Sequence, residues 1–403
     1  SIHKICQLNA RGFFLHDLAS GLELLSLSAE RMLNGQQEYV PAVSELLEAM
    51  SIPFQKNRSN DDVTFEQQIC ELVATVAELA LSAPPRIAGS AVEMLLSVAV
   101  PPPPPASTAE ALAREAMAVG PRIETLKVLK LLCAADVVPA VVAVIDRAER
   151  EGAGSLRMSS RSGTHLGAPP VWERSISASL RLLRAVSRTT DGADAILSAP
   201  YVLALFGLLR LPLGSPLLSI AVETVWNLAE AAPGGTAALL CTPDSTRALV
   251  DLHLRTLNPG ASDADKELRN EVVVLSTLLA KAARPEGRAC LVSGGLYEAV
   301  VGVVCDDSAT LSIHATDLNL ELLLLALQFL LVMCKPDEAL REDILEVSAS
   351  HGLVAQLVEC LAGRVGRSRS ALCSAQWTNS QLSQLQKRCL PLLTDLFIAA
   401  PGT

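Results

Sequence analysis

Apolar residues recur along this chain at the spacing of a helix face. The clearest run is Leu322, Leu325, Ala326, Phe329, Leu330 and Met333, at i, i+3, i+4, i+7, i+8 and i+11, which lays one wide apolar stripe along an α-helix. Ala221, Val222, Val225, Leu228 and Ala229 repeat the pattern, as do Leu72, Val73, Val76, Leu79 and Ala80. The valine-rich run Val300 to Val304 has the length of a buried strand. No strand and turn signals surround it, so it too reads as helix.

The most apolar helix of each block centres near Leu79, Leu131, Leu183, Leu228, Leu279 and Leu330, with a more distant one near Leu393. The step of roughly 45 to 52 residues approaches the period of about 40 to 47 expected of HEAT and armadillo units. A second helical series interleaves with the first: Val137 to Ile145, Tyr201 to Leu209, Thr246 to Leu254, Leu296 to Val304 and Leu353 to Leu361. The run Ala135 to Val142 resembles the start of an armadillo second helix, with Pro139 in its first turn, where no intrahelical donor is lost. Ala221 to Ala229, with Trp226 and Asn227, resembles the third helix of such a repeat. The expected fold is all-α, an armadillo/HEAT-like right-handed helical solenoid of about seven or eight irregular repeats.

Pro and Gly fall between the apolar blocks, at Pro84-Pro85, Gly120-Pro121, Pro233-Gly234-Gly235, Pro259-Gly260, Pro285 and Pro336. The five prolines Pro101 to Pro105 fix an extended backbone and predict a stiff spacer. The stretch 151–170 is rich in Gly and Ser and predicts a flexible insertion, with Arg150, Arg157 and Arg161 close by. The expected organisation is therefore N-terminal helical repeats over 1–100, a Pro-rich linker and helix start over 101–120, and armadillo-like repeats over 121–403.

Composition narrows the function. Half of the 403 residues are hydrophobic and only 19% are charged, which is too apolar for a disordered chain. The formal net charge of −10 argues against nucleic acid and anionic membrane surfaces as partners, because both need clustered Lys and Arg. Leu318 to Cys334 is the one stretch that suggests a membrane span, but it carries Asn319, Glu321 and Gln328. It is also shorter than the roughly 20 apolar residues a bilayer requires, so it reads as a buried helix. The ten cysteines are scattered and none forms Cys-x-x-Cys, which predicts buried reduced thiols. Asn57-Arg58-Ser59 matches a glycosylation sequon, read as a chance match without a secretory context. No secretory signal opens the chain, and the absence of an initial Met suggests a segment of a longer protein.

The search for chemistry yields little. The chain holds no phosphate loop, His-Glu-x-x-His or Gly-x-Ser-x-Gly motif, and its six histidines are dispersed. No enzyme, metal or cofactor is expected. In armadillo proteins that bind extended peptides, as in the importin-alpha family, Trp and Asn recur on successive third helices and grip the ligand backbone. Here Trp226-Asn227 stands alone, and the simpler reading of Trp226 is packing. Candidate protein contacts on a concave groove are Arg181, Arg184, Glu223, Trp226, Asn227, Asn270 and Gln328. Arg364, Arg367 and Arg369 form a basic loop on an acidic protein, suited to an acidic surface such as a tubulin tail.

The opening segment narrows the resemblance. Gly12-Phe13-Phe14-Leu15-His16-Asp17-Leu18, the helix from Leu22 to Leu33, and Ile52-Pro53-Phe54-Gln55-Lys56 before Ser59-Asn60-Asp61 resemble the armadillo-containing cilia- and flagella-associated protein 69 family over roughly the first 70 residues. That resemblance implies a non-enzymatic scaffold in the axoneme of a cilium or flagellum. There it would dock neighbouring central-apparatus projection proteins close to a microtubule. The alternative is a soluble cytoplasmic armadillo adaptor that captures extended peptides in its groove.

Overall fold

In a computed structural model the chain is described over residues 17–56, 66–100, 132–133, 137–158, 171–257, 262–305, 316–335, 340–363, 372 and 376–399. No strand occurs among these residues, so they are all-α. The chain divides into two compact units, Ser1–Leu205 and Phe206–Thr403. The proline run lies outside the described residues, and the boundary between units falls elsewhere, within a short helix.

The first unit holds α1 (Leu18–Leu33), α2 (Val40–Lys56), α3 (Glu66–Ser82), α4 (Pro85–Ala99), α5 (Val137–Met158), α6 (Val171–Val186) and α7 (Thr190–Leu197). The boundary helix is α8 (Val202–Gly207), continued by a 3-10 turn at Leu208–Arg210. Two layers run through this unit: α1 packs on α3 and α3 on α5, while α2 packs on α4 and α4 on α6. The layers meet because each helix has one apolar face; α4 buries Ile87, Ala88, Ala91, Val92, Leu95 and Ala99. Gly89 is what lets α4 and α6 approach closely, since a Cβ there would lie 2.6 Å from Ser175 Oγ. Such alternating helix pairs are the HEAT-like arrangement.

Part of the expected insertion at 151–170 is helical. Helix α5 continues through Met158, even though Gly152 and Gly154 each disfavour helix by about 1 kcal/mol. The i,i+4 ion pairs Arg147–Glu151 and Asp146–Arg150 support the turns just before. Residues 159–170 lie outside the described chain.

The second unit repeats a triplet of one long helix followed by two shorter ones. The triplets are α9 (Pro216–Ala231), α10 (Pro233–Leu240) and α11 (Pro243–Thr256); α12 (Asp263–Ala282), α13 (Pro285–Ser293) and α14 (Leu296–Cys305); and α15 (Asp317–Met333), α16 (Arg341–Ser350) and α17 (Leu353–Leu361). A final long helix, α18 (Asn379–Ala399), follows. The long helices stack in the order α9, α12, α15, α18, and α11, α14 and α17 form the second layer. This is the armadillo arrangement. The Val300–Val304 run lies in helix α14, and the apolar run after Leu318 is the buried helix α15.

Local sequence explains where these helices begin. Pro216, Pro233, Pro243 and Pro285 occupy first-turn positions, where a missing N–H leaves no bond unmade. Ser262 and Asp265 form a capping box on α12, and Thr316 caps α15 through the Asn319 N–H at 3.3 Å. Two arginines then tie helix ends together. In the first unit Arg147 Nη1 donates to the Ala83 carbonyl at 2.6 Å. In the second, Arg255 donates to the carbonyls of Leu211 and Leu209 at 2.7 and 3.0 Å. Both satisfy carbonyls at helix ends that have no partner within their own helix.

Candidate functional site

The best-formed polar face lies on the long helices of the second unit. On α9, Glu223, Trp226 and Asn227 are half-buried and share one side at i, i+3 and i+4. Trp226 Nε1 donates to Glu230 Oε1 at 2.9 Å, one turn further along the same helix. Helix α12 packs beside α9 and presents Glu267 and Glu271. Burial, then the negative charges of Glu223 and Glu267, push the Glu271 carboxyl above its ordinary range. Three carboxylates therefore converge across the α9–α12 contact.

Asn270 requires a correction. The sequence placed it among groove contacts, but its side chain is buried. Its amide nitrogen donates to the Leu318 carbonyl at 3.1 Å and to Glu321 Oε2 at 2.9 Å, while its oxygen accepts from Arg269 Nε at 3.3 Å. Arg269 Nη2 reaches Asn319 Oδ1 at 3.1 Å and the Leu318 carbonyl at 3.3 Å. These groups form the polar joint between α12 and the start of α15, facing inward between repeats. Burial pulls the Arg269 pKa down to about 10, and the nearby Glu321 carboxylate opposes that fall. Arginine stays charged near neutral pH at that value.

Gln328 on α15 is half-buried, and its side-chain oxygen accepts from Arg388 on α18. The outward side of the long helices thus carries Glu223, Trp226, Asn227, Glu267, Glu271 and the Gln328–Arg388 pair. Arg181 is exposed and Arg184 half-buried on α6, in the first unit. Arg364, Arg367 and Arg369 lie outside the described residues.

Nothing in this face assembles a reactive centre. Among the described residues no group of three or more His, Cys, Asp or Glu side chains is placed to hold a metal ion. The eight described cysteines are all free thiols. Burial raises Cys241 to about 12 and Cys334 to about 11, which suppresses their thiolates. The Cys389 side chain hydrogen-bonds Cys360 and lowers its pKa. His253 on α11 is fully buried, and neither ring nitrogen has a well-formed partner, although the Ala299 backbone acts weakly on the ring. Burial first, and the Arg269 charge second, hold it down to about 4, so it is neutral near pH 7. No single described helix is long and apolar enough to cross a membrane.

Comparison with known proteins finds a repeat family over the first part of the chain. Residues 1–112 match the family described as cilia- and flagella-associated protein 69, ARM repeat. Two crystal structures of engineered proteins are similar at low identity. One, at 15% identity and a TM-score of 0.47, aligns over 81% of this chain and 97% of its own. The other, at 12% and 0.44, aligns over 80% and 98%. No curated protein gives a significant sequence match. Over its first 112 residues the chain resembles the armadillo repeats of cilia- and flagella-associated protein 69.

Proposed function

We propose that this chain is a non-enzymatic scaffold that docks neighbouring proteins in a ciliary assembly, most specifically a projection of the central-pair microtubule apparatus. The carrying observation is the match of residues 1–112 to the armadillo repeats of a ciliary protein family. The physical form of the chain supports the same reading. Helices that seal one another's apolar faces leave their outer sides free, so a repeat stack offers many modest contacts at fixed spacing. The partners are other proteins of the assembly, with affinity concentrated in a few anchors.

The soluble peptide-capturing adaptor is the second reading, and the half-buried Glu223, Trp226 and Asn227 on one side of α9 are what favour it. Trp226 bonded to Glu230 and unmatched on α12 or α15 weighs against it. Chemical cross-linking of isolated axonemes tests the first reading. Cross-links to central-pair projection proteins support it, and absence of the chain from axonemes overturns the ciliary assignment.

A further inference from the structure

Helix α18 buries one face only. Leu385, Cys389, Leu392 and Leu396 follow i, i+4, i+7 and i+11 and are buried, where α18 packs on α15, α16 and α17. On its open side Leu390 is 58% exposed, Phe397 56% and Ile398 72%. Lys387 and Arg388 stand at the near end of this stripe, both exposed, and Arg388 also donates to Gln328 on α15. The one acidic residue of α18, Asp395, is half-buried. A lone exposed leucine needs no explanation, but three large apolar side chains on one open helix face do.

Helix α1 of the first unit carries the complementary pattern. It buries Leu18, Leu22, Leu25, Ala29 and Met32 and turns outward Leu24, 44% exposed, and Leu27, 50% exposed. Glu23 and Glu30 flank these two leucines and are exposed. The neighbouring Arg31 is engaged within its own unit: it donates to the Tyr39 hydroxyl and lies 5.2 Å from the centre of that ring. The open side of α1 is apolar with an acidic border, where that of α18 is apolar with a basic one.

We infer that the open face of α18 is covered by α1 of a second copy of this chain, forming a head-to-tail contact. Apolar burial drives the contact, and the pairing of Glu23 and Glu30 with Lys387 and Arg388 selects the partner helix. Such a contact is heterologous, so each added copy leaves one α1 and one α18 open until a ring closes. The inference needs only these two helices and stands apart from the ciliary reading.

Sedimentation equilibrium of the full 42.6 kDa chain tests it. The weight-average mass should rise above the monomer value as concentration increases, and raising salt from about 50 to 500 mM should weaken the association. Phe397→Asp with Ile398→Asp should leave a monomer whose circular dichroism melt is unchanged. Glu23→Lys with Glu30→Lys, and separately Lys387→Glu with Arg388→Glu, should each weaken self-association at least about tenfold. Mixing those two charge-swapped proteins should restore it. A wild-type chain that stays monomeric at every concentration overturns the inference. So does self-association that survives both swaps, or a mixture that fails to associate.

Discussion

Asn270 on α12 donates its side-chain nitrogen to Glu321 on α15 at 2.9 Å, inside the contact between two successive repeats. The same nitrogen also holds the Leu318 carbonyl, so one buried amide satisfies two acceptors at the start of the next repeat. Asn270→Ala leaves both without this donor, which should destabilise the second unit by about 1 to 3 kcal/mol. Glu321→Gln keeps an acceptor oxygen and should have a smaller effect. Urea unfolding of both variants checks the ordering.

His253 makes stability depend on pH. The unfolded imidazole binds a proton near 6.5, but the buried one does so only near 4. Between those values the unfolded state holds more protons, so its stability relative to the fold rises as pH falls. The contribution of neutral His253 is complete above pH 6.5 and is lost as pH drops toward 4, about 3 kcal/mol in all. His253→Leu should flatten this part of the profile. Urea midpoints at pH 7 and pH 4.5 for both proteins measure it.

Gly192 sits where α6 turns into α7. Its N–H donates to Thr189 Oγ1 at 3.1 Å, and a Cβ at this position would collide with the Val186 carbonyl oxygen. That oxygen belongs to backbone and cannot rotate away. Gly192→Ala should therefore destabilise the first unit by about 1 to 3 kcal/mol, whereas alanine at Gly234, with nothing within 4 Å of its Cβ position, should be tolerated. Thermal melts of the two variants separate these outcomes.

Arg255 bonds two carbonyls of the preceding segment and Asp251 on its own helix. Lysine cannot reproduce that planar fork. Arg255→Lys should lose about 1 to 2 kcal/mol and Arg255→Ala somewhat more. Chemical denaturation reads both, and equal stability of Arg255→Lys and wild type would refute the two-carbonyl role.

The sequence was most legible where one helix face is long and apolar. Leu183, Leu228, Leu279, Leu330 and Leu393 lie in α6, α9, α12, α15 and α18, and the second series recovered α11, α14 and α17. The short helices α7, α10, α13 and α16 escaped notice because each buries only two or three residues, too few to mark an apolar face, whereas α14 at similar length buries six. Asn270 was assigned to the wrong environment for a different reason. Helical spacing tells which residues share a side, but the packing of α15 decides whether that side faces solvent or the next repeat. The cross-helix pairs Glu223–Glu271 and Gln328–Arg388 carry no local signal at all.

Proximity labelling from the intact protein in ciliated cells tests the scaffold account most directly. With a labelling enzyme fused to the chain, the account predicts strong enrichment of central-pair projection proteins, and signal that remains with the axoneme after detergent extraction. Labelling confined to soluble cytoplasmic proteins, with none retained on axonemes, would contradict it.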